Sequence, residues 1–156
     1  MNIVLVEPEI PPNTGNIARL CAATGATLHL IEPLGFEIDD RHLARAGMDY
    51  WKLVNWRRWP RWSAYREALP PGSRLWFIEH GAPRRYTEAR FEAGDHLVFG
   101  RETAGLPQGL LEENRDRWLD IPMARPEARS LNLSNCAAIV LFEALRQIGR
   151  PSTTSP

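Results

Sequence analysis

The chain opens on a short, continuous apolar run, Ile3-Val4-Leu5-Val6, and Leu28-His29-Leu30-Ile31 reads as the next strand. Between them lies a segment with helical spacing. Asn13-Thr14-Gly15-Asn16 opens it, Ile17, Leu20 and Cys21 share one face, and Gly25 follows its expected end near Thr24. A β-branched run that is apolar at every position is a strand covered on both sides. Strand, helix and strand joined by short links form a βαβ unit, which commits the chain to a parallel sheet with helices against its faces. No other feature narrows the fold as far.

The remaining pattern extends that sheet. Strands are expected at 75–78, 97–99 and 118–121, with a possible short strand around Val54. Residues 7–12 read as a proline-broken loop. A weak helix is expected at 40–45, another at 61–69 stopped by Pro70-Pro71-Gly72, and a short one at 108–113. Residues 81–94 are polar and irregular and read as the mobile segment of the chain. The expectation is an α/β fold: one α/β/α domain over residues 1–150. Residues 151–156, rich in Pro, Ser and Thr, form a disordered tail.

The last long helix is preceded by Arg129-Ser130-Leu131-Asn132-Leu133-Ser134-Asn135. Asn132 or Ser134 can cap it. Its apolar residues, Cys136 to Ile148, cover too wide an arc for a single solvent-facing helix, so both of its sides should be covered. Polar groups crowded at a helix start present backbone N–H donors to a small polar ligand.

Composition removes several classes. The formal net charge is zero, so no overall basic field announces nucleic acid. Within that balance Lys52 is the only lysine, and arginine, which favours planar contacts to phosphate and stacking on bases, supplies the other cations. Cys21 and Cys136 lie in apolar helical contexts and read as free thiols in a reducing compartment. The four histidines, His29, His42, His80 and His96, show no metal-ligand spacing, so no metal is expected. No signal pattern or apolar run long enough for a membrane span is present, and a cytoplasmic protein without membrane association is expected. Gly-x-Gly-x-x-Gly after the first strand is absent, as is a P-loop; Glu7-Pro8-Glu9-Ile10 stands there instead.

Three loops follow expected strand ends: 79–81, 100–105 and 122–135. In open α/β sheets, ligands bind beyond the carboxyl ends of strands. These loops, with the first helix, also carry a resemblance. Asn13-Thr14-Gly15-Asn16-Ile17-Ala18-Arg19-Leu20-Cys21, Phe99-Gly100-Arg101-Glu102-Thr103-Ala104-Gly105-Leu106-Pro107 and Ser130-Leu131-Asn132-Leu133-Ser134-Asn135 resemble the three ordered motifs of the SpoU–TrmD (SPOUT) RNA methyltransferases. The likeness runs from Met1 to about Gly149. It is nearest to the minimal, single-domain subfamily that 2′-O-methylates the wobble nucleotide of tRNA, cytidine or modified uridine 34.

The resemblance implies a C-terminal trefoil knot, S-adenosylmethionine as methyl donor, a homodimer whose active site uses both subunits, and the tRNA anticodon stem-loop as partner. It sets the cofactor against Ile78, Gly100, Ile121, Met123, Ser130, Leu131 and Asn135. It makes Arg19 the catalytic residue, with Asn16 and Glu102 as supports. Glu102 can equally be read as a carboxylate that braces its loop. A guanidinium is a poor base, so Arg19 is expected to hold phosphate and stabilise the developing oxyanion. Arg84, Arg85 and Arg129 are expected to contact RNA. Arg57-Arg58-Trp59-Pro60-Arg61-Trp62 interleaves cations with rings in the same manner, but Trp59 and Trp62 read better as packed side chains.

The chain departs from the family pattern at Glu79-His80, at Arg101 and Ala104, and at Phe142. The alternatives are the same chemistry at another tRNA or rRNA ribose, and a non-catalytic RNA- or adenosine-binding protein of the same fold. The wide apolar helix and six tryptophans place that helix at a dimer interface.

Overall fold

A computed structural model describes residues 1–37, 49–125, 127 and 130–149. Strand β1 (Asn2–Val6) pairs in parallel with β2 (Thr27–Ile31), and helix α1 (Pro11–Thr24) crosses between them. The sheet continues with β3 (Trp56–Trp59), β4 (Leu75–Ile78), β5 (Arg84–Arg85), β6 (His96–Phe99) and β7 (Trp118–Asp120). The order across it is β3-β2-β1-β6-β4-β7-β5, and each pairing is parallel. Central β1 lies between β2 and β6, so Ile3 is in register with Leu28 and Leu97.

Strand periodicity sorts the core into two layers. Ile3 and Leu5 join Leu28, Leu97, Phe99 and Leu119 under α1 and the C-terminal helix α4 (Leu133–Gln147). Val4 and Val6 join Phe77, Val98 and Tyr65 on the other face, with α2 (Trp62–Glu67) and α3 (Gln108–Glu113). Ala137, Val140, Leu141 and Ala144 carry α4 into the first layer, and α4 packs on both α1 and β6.

Local differences from the expectation have local causes. Helix α1 begins at Pro11, because proline fits the first helical turn, where its missing N–H is not needed. Its C-cap Gly25 has φ 66°, a left-handed conformation that suits glycine. Val54 is buried but lies just beyond a 3₁₀ turn (Asp49–Leu53); the strand is Trp56–Trp59. The irregular segment at 81–94 contains β5 and a 3₁₀ turn (Tyr86–Glu88), and Arg84 is tied down there. Its guanidinium donates to the carbonyls of Asp116 (2.8 Å) and Glu88 (3.0 Å) and lies 5.8 Å from the centre of the Trp76 ring. The helix expected at 40–45, the tail at 151–156 and Arg129 lie outside the described residues.

Trp59 and Trp62 pack against Tyr65 as structural side chains. Trp59 Nε1 donates to His29 Nδ1 (3.1 Å), and Tyr65 Oη meets His96 Nδ1 at 2.5 Å. Burial pushes the His29 pKa down to about 4, with smaller contributions from the charges of His96 and Arg57. These histidines are structural, in line with the sequence reading.

Candidate active site

The three motifs meet at one end of the sheet. Asn13, on the first turns of α1, donates from Nδ2 to Glu102 Oε1 (3.0 Å). Its Oδ1 accepts from Asn132 Nδ2 (2.8 Å). Asn132 also caps α4: its Oδ1 accepts from Ser134 N (2.9 Å), Ser134 Oγ (2.7 Å) and Asn135 N (3.4 Å). Glu102 closes the network by accepting from Glu9 N (2.8 Å) and Ile10 N (3.2 Å). A carboxylate holding three N–H groups is a brace for the 9–13 turn, the structural role that the sequence left open for Glu102.

Two glycines let the second motif fold tightly. The backbones of Arg101 and Gly105 exchange hydrogen bonds (3.1 and 2.9 Å). A Cβ on Gly100 would stand 2.1 Å from the Gly105 carbonyl carbon. Gly105 has φ 65°, and a Cβ there would strike Glu79 Oε2 at 2.2 Å. Glu79 Oε2 in turn accepts from Leu106 N (2.9 Å). Beside it, His80 Nδ1 and Gly81 N approach Asp120 Oδ1 at 3.0 and 3.2 Å. Arg101 forms an ion pair with Glu7.

Between these loops, at the carboxyl ends of β4, β6 and β7, lies a cleft of about 510 Å³. Ile78, Gly100, Ile121, Met123, Ser130 and Leu131 line it, as does Glu102. Asn135 does not; it sits in the first turn of α4 with its backbone N–H in the cap. Arg19 and Asn16 lie on the exposed side of α1, outside the cleft wall, because Ile17, Ala18 and Cys21 turn the other side to the core. Arg85 is exposed on β5, in register with Asp120 at the cleft rim.

Sequence reasoning passed over Asn13 as an individual residue and read Asn132 only as a possible cap of α4, which it is. It noted Glu79 only as a departure from the family pattern and passed over Asp120. The available signal was a polar side chain immediately beside each of three strand ends. Among the described residues, no group of His, Cys, Asp and Glu converges as a metal site, and no helix is long and apolar enough to cross a membrane.

The family model for the SpoU rRNA Methylase family matches residues 1–142. The chain belongs to the SpoU rRNA methylase family. Among SpoU methylases, a tRNA (cytidine(34)-2′-O)-methyltransferase from Saccharophagus degradans is 51% identical over 149 residues, 95% of this chain and 96% of the relative. A solved structure described as giving insights into the 2-OH methylation of C/U34 on tRNA superposes with TM-score 0.87 at 46% identity, covering 94% of each chain. An AdoMet-bound rRNA methyltransferase from Sinorhizobium meliloti superposes with TM-score 0.82 at 27% identity, over 97% of this chain and 57% of that one. The parallel α/β sheet is thus that of the SpoU methylases.

Proposed function

We propose that this chain transfers the methyl group of S-adenosylmethionine to the ribose 2′-hydroxyl of the wobble nucleotide, cytidine or modified uridine 34, of tRNA. The observation that carries this reading is the convergence of all three motif loops on one cleft, in a chain 51% identical to a cytidine-34 methylase along nearly its whole length. A tRNA substrate supports a cytoplasmic enzyme.

The cleft suits the cofactor. Its volume lies within the range of small-molecule sites, and Ile78, Ile121, Met123 and Leu131 give apolar walls for an adenine ring. Gly100 and Ser130 leave backbone and hydroxyl groups on the same wall. These residues would hold the adenosine, and Asn135 supports them through the α4 cap. When bound, the cofactor supplies a methyl group on a sulfonium, whose departure as a neutral thioether needs no acid.

The protein must therefore deal with the weakly acidic hydroxyl. Arg19 does so as a donor: it holds the adjacent phosphate, which takes the 2′ proton, and stabilises the oxyanion as it forms. Its exposed place on α1 fits action on the cleft of a second subunit, with Asn16 one turn away as support. Ile139 and Phe142 are exposed on α4, which packs against α1, and they form the centre of that homodimer contact. Arg85 and Arg129 contact the anticodon stem-loop, and Arg84 shapes that surface from beneath. The family resemblance carries with it a C-terminal trefoil knot. Residues 1–150 act as one methyltransferase domain.

The test is nucleoside mass spectrometry of tRNA from a strain lacking its wobble methylase. Supplying this chain should restore 2′-O-methylation at position 34 in vivo. Restoration at a different ribose, or none with folded protein present, overturns the reading.

A further inference from the structure

The acidic and basic side chains on the cleft wall are Glu79, His80, Arg101, Glu102 and Asp120. Most are already answered. Arg101 pairs with Glu7, Asp120 holds His80 and the Gly81 N–H, and Glu102 accepts three N–H groups. Glu79 differs. Its carboxylate accepts only from two backbone groups, Leu106 N (2.9 Å) and His80 N (3.2 Å). Among the described residues it has no cationic side chain as partner. Its charge is also felt elsewhere on the cleft wall. The Cys136 thiol, on the same wall, is pushed up to about 11 by burial and next by Glu79.

We propose that Glu79 lets the cleft tell the charged methyl donor from its neutral product. This rests on the reading given under Proposed function. The donor and the product differ by one methyl group and one positive charge at sulfur, and the rest of the molecule is common to both. Glu79 lines the cleft itself, so a sulfonium bound beside it feels its carboxylate at a range where salt screens charges only in part. The partly buried setting of Glu79 weakens screening further. Methyl transfer removes the charge that Glu79 attracts. The carboxylate therefore favours loading of the donor and does nothing to hold the product.

The test is calorimetric binding of S-adenosylmethionine and S-adenosylhomocysteine to wild type and to Glu79→Gln. Glutamine keeps an oxygen for the Leu106 N–H, removes the charge and gives up the longer bond from the His80 N–H (3.2 Å). Glu79→Gln should weaken the donor about tenfold and leave the product nearly unchanged. Equal losses for both, or none, would show that Glu79 acts only as a loop clamp and overturn the inference. Salt provides a second measurement on the wild type, whatever the fold of the variant. Rising ionic strength should weaken donor binding and spare the product; parallel behaviour of the two refutes the proposal. A folded wild type that binds neither compound refutes the methyltransferase reading itself, and this inference with it.

Discussion

Asn132 Nδ2 donates to Asn13 Oδ1 across 2.8 Å, joining two side chains 119 positions apart in the sequence. The same Asn132 oxygen caps α4 while Asn13 reaches Glu102, so two amides hold three motifs in one arrangement. Asn132→Ala should therefore cost more than Asn13→Ala. Loss of the cap alone is worth about 1 kcal/mol, and the orphaned Asn13 amide adds to it. Urea unfolding of the two variants beside wild type checks the order.

Gly100→Ala should leave the sheet intact and ruin the cleft. The new methyl would meet the Gly105 carbonyl carbon at 2.1 Å and Leu106 N at 2.3 Å, both backbone atoms that cannot swing away. The 100–106 loop has to open. Far-ultraviolet circular dichroism should be retained while calorimetric binding of S-adenosylmethionine drops at least tenfold.

Arg19→Ala should bind S-adenosylmethionine as wild type does, since Arg19 stands off the cleft wall. Its kcat on unmodified tRNA should fall on the order of 10²–10³-fold, as for removal of one transition-state donor. Arg19→Lys should also be poor, because an ammonium cannot reproduce the planar fork. Mixing Arg19→Ala with the cleft-defective Gly100→Ala should recover part of the activity if the arginine serves the partner's cleft. A wild-type rate for Arg19→Ala would refute the assigned role.

Leu141 and Phe142 are neighbours with opposite fates. Leu141 is 0% exposed in the core and Phe142 is 58% exposed. Phe142→Glu should yield folded monomers in sedimentation, whereas Leu141→Glu should unfold the chain by burying a charge.

Acid should loosen the molecule from its histidines. The His29 pKa lies at about 4 in the fold against an ordinary 6.5, and burial lowers that of His96 as well. Between pH 4 and 6.5 the unfolded chain binds a proton that folded His29 refuses. Stability is full above about pH 6.5 and declines as pH falls towards 4, by roughly 1.4 kcal/mol per unit for one such group. His29→Gln, which cannot titrate, should flatten the decline in urea midpoints over that range.

The sheet was legible because β1, β2, β4 and β6 are apolar on both faces, and a pattern of that kind has few other uses. The two core layers follow from the same strands, since adjacent residues point to opposite sides. Pro11 misled the eye, because proline reads as a break although it suits a first helical turn. Most of the cleft wall could be named because its residues stand at or just beyond strand ends, where the family resemblance also falls. The Asn13–Asn132 link could not, because hydrogen bonds between distant side chains leave no periodic trace. Glu79 was visible only as a departure from a pattern, and its meaning depends on which cations fail to reach it.

Asn132 and the start of α4 have a consequence for a chain still on the ribosome. A nascent polypeptide halted before Ser130 has already emitted every strand of the sheet, yet it lacks one wall of the cleft and the amide that anchors Asn13. On the function proposed above, half-made copies would neither sequester methyl donor nor mark tRNA. Donor loading would arrive only with the final helix, and ligand uptake would then serve as the molecule's own certificate of complete synthesis.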